Sequence, residues 1–232
     1  MKSIHYPLII VNFKTYTQGT GQKGLQLAKI CDEVAREFNV SIVVAVQMAD
    51  IRWIASEIEI PVFAQHVDAI YPGSNTGHIL LETVKEAGAT GTLVNHSERK
   101  ITLKEIALII QRARENHLYT CVCASTPKIA GAIAALSPDS CATEPPELIG
   151  SGISVSMAQP EVITKSVKII EKFNPAVAPL CGAGITNSQD VEKALELGTK
   201  GILIASGVVK ATDPKKILEK MAQVLLKFQE KK

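Results

Sequence analysis

The sequence places an acidic residue, Glu144, between a segment of small side chains and two consecutive prolines. The segment 140–143 is typical of a buried strand, and the prolines at 145 and 146 cannot continue a sheet ladder. Gly150 and Gly152 follow, where the backbone can change its angles at little steric cost. A carboxylate in this position suits a general base beneath a mobile cover. By itself, the segment is equally typical of an ordinary acidic turn.

Further side chains with catalytic chemistry follow other segments that are predicted to be strands. They are Asn12 and Lys14 after the first strand, and Asn95, His96 and Glu98 after the fourth. Two later strands end in the small residues Gly182-Ala183-Gly184 and Ala205-Ser206-Gly207. In a parallel barrel the C-terminal strand ends share one face. A cation, an imidazole and a carboxylate would then meet beside loops whose bare N–H groups can hold a phosphate.

Eight short apolar runs have the length of strands, and each is followed by a helix or a helical turn. The runs are 8–11, 41–46, 61–65, 91–94, 119–124, 140–143, 177–181 and 201–204. Runs without polar alternation indicate strands that are covered on both faces, hence a parallel sheet. Eight such units in 232 residues predict one α/β domain over 1–232, a closed (β/α)8 barrel. An open doubly wound sheet is the alternative, but no G-x-G-x-x-G follows the first run.

Local signals predict where several helices begin. Thr102 with Glu105, and Thr186 with Gln189, have the spacing of capping boxes. The segment 66–77 is long for a connection between a strand and a helix and contains turn-forming residues. We therefore expect an extended loop after the third strand.

Charge and composition exclude several classes of partner. Lys and Arg number 25 against 23 Asp and Glu, and the basic residues are scattered. This balance predicts neither a nucleic-acid surface nor a membrane-binding face. The apolar run near the start is too short for a signal segment or a membrane span, so a cytoplasmic location is expected.

The cysteines do not have the spacing of a disulfide framework or a metal site. There are five, at positions 31, 121, 123, 141 and 181, and no Cys-x-x-Cys or paired histidine accompanies them. We expect buried free thiols and no bound metal.

With these residues in place, the chain resembles the triosephosphate isomerase family from Asn12 to about Lys210. The resemblance rests on motifs that occur in the expected order: Asn12-Phe13-Lys14, Ala64-Gln65 with Thr76-Gly77, Asn95-His96-Ser97-Glu98-Arg99, Glu144-Pro145 with Ile149-Gly150-Ser151-Gly152, and the two small-residue loops. Each motif alone is weak, whereas the ordered set is specific. The short length and the last two loops resemble the compact archaeal branch of the family.

The resemblance implies a TIM barrel that interconverts dihydroxyacetone phosphate and D-glyceraldehyde 3-phosphate in glycolysis and gluconeogenesis. It implies Glu144 as the base, His96 as a neutral electrophile, Lys14 as the cation near the developing oxyanion, and Asn12 as its support. Main-chain N–H groups near Ile149, Gly184, Ala205 and Ser206 would hold the substrate phosphate.

The resemblance also implies partners and a quaternary structure. The substrate is a small phosphorylated triose, and no metal or organic cofactor is required. A homodimer or homotetramer is expected, with the tetramer favoured by the archaeal branch. The loop 66–77 would enter the neighbouring subunit, where Thr76 approaches Lys14 and His96.

Several positions depart from the family pattern and leave alternatives open. Thr143 stands where a tyrosine is usual, the lid lacks its tryptophan, and 181–184 reads Cys-Gly-Ala-Gly instead of Tyr-Gly-Gly-Ser. Another phosphate-binding barrel enzyme is one alternative, such as an aldolase or an indole-forming or ribose-phosphate enzyme. However, no predicted strand after the first carries the lysine that a Schiff-base aldolase needs. A non-catalytic phosphate-binding or assembly subunit is the other alternative. Glu98 is interpreted as structural, positioning its neighbours through ion pairs.

Overall fold

The computed structural model describes residues 4–145 and 155–229. Its eight parallel strands close into a barrel in chain order. They are β1 (Leu8–Asn12), β2 (Ser41–Val46), β3 (Val62–Ala64), β4 (Gly91–Val94), β5 (Tyr119–Ala124), β6 (Ser140–Thr143), β7 (Ala178–Cys181) and β8 (Gly201–Ile204). The last strand pairs with the first, beginning at Leu8 opposite Gly201. The predicted (β/α)8 barrel is thus confirmed, and the alternative of an open doubly wound sheet is wrong.

Helices follow the strands around the outside of the barrel. They are α1 (Gly21–Phe38), α2 (Ile51–Glu57), α3 (Leu81–Glu86), α4 (Leu103–Glu115), α5 (Pro127–Ala135), α6 (Val155–Ala158), α7 (Pro160–Phe173), α8 (Ser188–Glu196), α9 (Ser206–Val209) and α10 (Pro214–Gln229). Short 3-10 turns lie at Thr17–Gly19 and Met48–Asp50. The sequence does not predict the single-turn helix α9, which starts within the last small-residue loop.

Side chains of the strands alternate between two buried layers. In β1, Leu8 and Ile10 belong to a cluster inside the barrel, which also contains Phe63 and Leu93. Ile9 and Val11 belong to the larger cluster between the barrel and the helices. Because both faces of each strand are covered, the strands are mostly apolar, as continuous runs predict.

One of the two predicted capping boxes is confirmed and the other is wrong. Thr102 and Glu105 exchange side-chain and main-chain hydrogen bonds at the start of α4. At α8 the cap is Asn187 with Asp190, one residue later than predicted. The carboxylate of Asp190 accepts the N–H of both Thr186 and Asn187, so it ties down the preceding loop as well as the helix start.

The five cysteines are free and buried, as predicted. Burial raises the pKa of each thiol, that of Cys121 to about 12. In the described ranges, no three His, Cys, Asp or Glu side chains cluster as metal ligands would. No helix in those ranges is both long and apolar enough to cross a bilayer.

Candidate active site

Lys14 lies just beyond the end of β1 in a backbone conformation that is unusual for a side chain other than glycine. Its φ angle is 47°, in the left-handed region. Two neighbours hold this conformation. The Oδ1 atom of Asn12 accepts the Lys14 N–H at 2.9 Å, and Gln65 Nε2 donates to the Lys14 carbonyl at 2.8 Å. The Lys14 ammonium group lies 2.7 Å from Glu98 Oε1, and its side chain is only 10% exposed. The lysine is therefore positioned through both its backbone and its charge.

Asn95 anchors the turn that presents His96 after β4. It too has a positive φ, of 59°. Its amide donates to the carbonyl of Cys123 on the neighbouring strand at 3.0 Å, and its Oδ1 accepts the Ile101 N–H at 3.1 Å. His96 itself is buried. The imidazole is thus carried by a turn that is hydrogen-bonded on both sides.

The hydrogen bonding of His96 indicates which ring nitrogen carries the proton. Its Nδ1 accepts the backbone N–H of Glu98 at 3.2 Å. An accepting Nδ1 leaves the proton of a neutral imidazole on Nε2. The Nε2 atom lies 3.8 Å from Glu144 Oε2. His96 therefore presents an N–H donor on the side of the ring that is near Glu144.

Glu144 follows β6 directly and is buried, with 5% exposure. Its N–H donates to the carbonyl of Ala124 at 2.8 Å. A side chain at Gly182 would collide with it, since a Cβ there would lie 2.8 Å from Oε1. Its Oε2 is buried without a hydrogen-bond partner among the described residues. A buried carboxylate oxygen without a partner is costly and occurs preferentially at functional sites.

These side chains line one cavity with the small-residue loops after β7 and β8. After the roles predicted for them, we call Asn12, Lys14, His96 and Glu144 the catalytic half, and Gly184, Ala205 and Ser206 the phosphate half. The empty space measures about 480 Å³ and opens to solvent.

The phosphate half consists mainly of exposed main chain. Among the described residues, the N–H groups of Gly184, Ala205 and Ser206 donate to no protein acceptor. Gly207 lets the two loops touch, because a Cβ at that position would lie 2.7 Å from the Ile185 carbonyl oxygen. Unpaired N–H groups on closely packed small residues are suited to hold an anion.

All but one of the residues predicted for the site line this cavity. Asn12, Lys14, His96, Glu144, Gly184, Ala205 and Ser206 come together, and Ile149 lies outside the described residues. Their individual roles stay predictions.

Glu98, predicted to be structural and to position its neighbours through ion pairs, contacts both Lys14 and His96. The sequence does not indicate two other contributors to the site. Tyr16 and Thr186 also line the cavity, and nothing in their sequence context marks them.

A closed parallel barrel with an imidazole and a carboxylate beside a loop pair of unpaired N–H groups at its C-terminal face is typical of a (β/α)8-barrel enzyme. Comparison with known proteins narrows this class. Residues 7–221 match the family model described as triosephosphate isomerase. The chain belongs to the triosephosphate isomerase family.

Proteins named triosephosphate isomerase from three archaea show how far the similarity extends. The protein of Methanothermus fervidus is 51% identical over 93% of this chain and 97% of its own length. That of Methanosarcina barkeri is 51% identical, over 94% and 99%. That of Methanocaldococcus jannaschii is 48% identical, over 95% and 99%. The predicted resemblance to the archaeal branch is confirmed.

Proposed function

We propose that this protein is a triosephosphate isomerase that interconverts dihydroxyacetone phosphate and D-glyceraldehyde 3-phosphate in glycolysis and gluconeogenesis. The observation that carries the proposal is the Glu144 Oε2 atom, which has no hydrogen-bond partner among the described residues and is buried 3.8 Å from the Nε2 of His96. A base and a proton donor this close can act on two adjacent atoms of one small substrate. The family membership supports the same reaction.

The proposed chemistry is a pair of proton transfers through an enediolate. Glu144 removes a proton from the carbon next to the carbonyl, while the Nε2–H of His96 stabilises the oxygen that becomes negative. The same carboxyl then returns the proton to the neighbouring carbon as His96 moves a proton between the two oxygens. Lys14 adds a positive charge close to the developing oxyanion. The C–H bond that breaks at one carbon is reformed at the neighbouring carbon, and the O–H proton moves between the two oxygens. The reaction therefore needs neither an electron carrier nor a metal.

The substrate phosphate would be held by main-chain donors. The N–H groups of Gly184, Ala205 and Ser206 lie in the phosphate half, and Ile149 is proposed to complete the set. Hydrogen bonds to a charged acceptor are worth roughly 1.5–3 kcal/mol each. A few of them can hold a phosphate without help from a charged side chain of the same loops.

We further propose that two or four copies assemble through the loop 66–77. A separate groove, lined by Lys14, Gln65, His66 and Arg99 among others, opens beside the catalytic half. Its position is suited to the tip of a partner's loop, which would bring Thr76 near Lys14 and His96. Tyr71 in the loop is 56% exposed, although Arg112 lies 4.4 Å from its ring centre. An aromatic side chain that is exposed in one copy is typical of an interface anchor.

The assembly is tested by shortening the loop between residues 71 and 75 and measuring mass by analytical ultracentrifugation together with activity. We expect a weakly active monomer in place of an active dimer or tetramer. A monomer with full activity at the assay concentration would contradict the proposal.

A cytoplasmic location is also proposed, because the chain belongs to the triosephosphate isomerase family.

The reaction is tested with purified protein in assays that couple each product to a dehydrogenase. Turnover in both directions is expected, and Glu144→Gln is the matched control for contaminating enzyme. If the wild-type protein binds inorganic phosphate but turns over neither triose phosphate, the non-catalytic alternative is correct. Cleavage of a larger sugar phosphate in the absence of isomerisation would instead indicate another barrel enzyme.

A further inference from the structure

Tyr16 lines the cavity but takes no part in the chemistry proposed above. It follows Lys14 by two residues, is half-buried, and shares the cavity wall with Gly184, Ala205 and Ser206. The ammonium group of Lys210 lies over its ring, 4.1 Å from the ring centre. A cation over the face of a tyrosine is attracted by the ring's electron density. The contact therefore holds a positive charge beside the wall of the site.

The two residues of this contact belong to the two segments that carry the halves of the site. The carbonyl of Tyr16 accepts the N–H of Gly19 at 2.8 Å, which fixes the turn after Lys14. Lys210 ends the helical turn that starts at Ser206, and its N–H donates to the Ser206 carbonyl at 3.1 Å. Because β1 and β8 are paired along the barrel seam, the loops that follow them are neighbours. The contact thus joins the segment of Lys14 to the segment of Ser206.

The charges of the side chains around the site indicate what this contact can contribute to phosphate binding. Lys14 is the cation of the catalytic half, and Glu98 lies 2.7 Å from its ammonium group. Glu144 adds a second carboxylate to the cavity wall. With two carboxylates and one ammonium group, these side chains together carry a negative charge. Their electrostatic effect on a phosphate dianion is therefore unfavourable. The main-chain donors of the phosphate half supply hydrogen bonds but no net charge, so a further cation improves binding of the dianion.

We propose that Tyr16 and Lys210 are positioning residues for the phosphate group. Tyr16 closes the wall at the phosphate half, and its ring holds the Lys210 ammonium group where its charge acts on the bound dianion. This inference rests on the proposed function for the identity of the substrate. It deepens that function by identifying Lys210 as the further cation that improves binding of the phosphate dianion. The hydroxyl group of Tyr16 is not required, since the ring face alone holds the cation.

The test compares Lys210→Met with Lys220→Met, which removes an exposed lysine on α10 and the same net charge. Binding of inorganic phosphate is measured by calorimetry at low salt, and kcat and KM are measured for glyceraldehyde 3-phosphate. Lys210→Met should weaken phosphate binding and raise KM by about two- to fivefold, the range for an exposed cation. Turnover should stay near that of the wild type, and the difference in affinity should shrink at high salt.

Tyr16→Phe and Tyr16→Leu separate the ring from the hydroxyl group. The Tyr16→Phe variant keeps the ring face and should bind phosphate like the wild type, whereas the Tyr16→Leu variant should behave like Lys210→Met. Equal phosphate affinities for Lys210→Met and Lys220→Met would overturn the inference, as would a loss confined to kcat. The phosphate titration does not depend on turnover, so a protein without isomerase activity refutes the proposed function while the role of Lys210 is still decided.

Discussion

The two halves of the site use different chemical groups: side chains in the catalytic half and main-chain N–H groups in the phosphate half. In the catalytic half, side chains are held by other side chains: Asn12 and Gln65 hold the backbone of Lys14, and Glu98 contacts Lys14 and His96. In the phosphate half, small residues expose their N–H groups, and Gly207 allows two loops to touch. The first half depends on side-chain identity. The second depends on the absence of side-chain bulk.

This difference follows from what each half is proposed to do. Proton transfer requires groups of suitable acidity at defined distances, so each must be a particular side chain in one orientation. Holding a phosphate requires several donors around an anion, and every residue except proline carries one. Substitutions should therefore have large, specific effects in the catalytic half. In the phosphate half they should matter only when they add bulk or remove an N–H.

The largest effect is expected from Glu144→Gln, which keeps the shape of the side chain but removes the base. We expect kcat to fall at least ~10²-fold, the lower end for general base catalysis, with a much smaller change in KM. Steady-state kinetics on protein with an unchanged melting temperature provides the measurement. Near-normal turnover of the folded variant would refute the assignment of Glu144 as the base.

Gly182→Ala should damage the catalytic half without replacing any of its charged groups. The added methyl group would lie 2.8 Å from Glu144 Oε1 and 2.9 Å from its Cδ, so the carboxyl group has to move. Because a displacement of roughly 1 Å can slow a reaction about 10²-fold, we expect turnover to fall by about one to two orders of magnitude. Inorganic phosphate should still inhibit with an unchanged constant, because Gly184, Ala205 and Ser206 are intact. A loss of phosphate affinity equal to the loss of turnover would show that the two halves are not separable.

Ser206 offers a direct comparison of main chain with side chain in the phosphate half. Ser206→Pro removes the N–H donor and should cost ~1.5–3 kcal/mol in kcat/KM, whereas Ser206→Ala keeps it and should cost less than ~1 kcal/mol. Ser206 is the first residue of α9, a position that tolerates proline. The backbone of Ala205, with ψ of −92°, lies outside the range favoured before proline.

The Ser206 comparison is therefore valid only if both variants unfold cooperatively near the wild-type temperature. The inhibition constant of a phosphate-bearing enediolate analogue is measured together with kcat/KM. If alanine is as damaging as proline, the hydroxyl group is the main contact and the main-chain interpretation is wrong.

The smallest effect concerns pH and is expected beside the catalytic half, at His66. Burial lowers the pKa of His66, against the opposing effect of its hydrogen bond to the Asp68 carboxylate. The unfolded chain then takes up a proton at higher pH than the fold does. The stability contributed by neutral His66 is complete above the unfolded pKa of about 6.5 and is lost as the pH falls through the folded pKa.

Urea unfolding at two pH values, about one unit above and one unit below the unfolded pKa of histidine, tests this dependence. The wild type should lose more stability on acidification than His66→Gln does. The pKa of Asp68 is lowered by the Ile79 N–H and by His66 and Arg99, which outweigh the effect of its burial, so Asp68 stays ionised at both pH values. Equal losses in the two proteins would show that His66 does not contribute.

Most of the fold was predictable because its signals are local. The continuous apolar runs reflect strands that are covered on both faces, and eight of them in a chain of this length leave few alternatives to a barrel. The capping box at Thr102 is equally local, and the structure has it at the predicted position. The cap at α8 lies one residue beyond the predicted one because Thr186 and Asn187 are both good caps, and the choice depends on which loop angles the barrel imposes.

The residues of the candidate site were predictable for another reason. Strand ends on a parallel barrel meet at one face, so the chain order of Lys14, His96 and Glu144 already indicates proximity. The ion pairing of Glu98 was predicted, but its pairing with Lys14 and the place of Tyr16 in the cavity wall were not predictable, because a contact with a residue from another loop leaves no trace in the residue's own neighbourhood. Glu98 reaches Lys14 across 84 positions of sequence.

The sequence by itself determined the barrel, the types of the reacting groups and the loops that lack bulk, since periodicity, strand ends and small residues are properties of the chain read in order. Only the tertiary structure decided that Glu98 N–H donates to His96 Nδ1 and that Glu144 Oε2 is buried without a partner among the described residues. It also decided that Lys210 lies over Tyr16. Such distances and exposures arise when eight strands close and their loops compete for the same space, and no single segment of the chain contains that information.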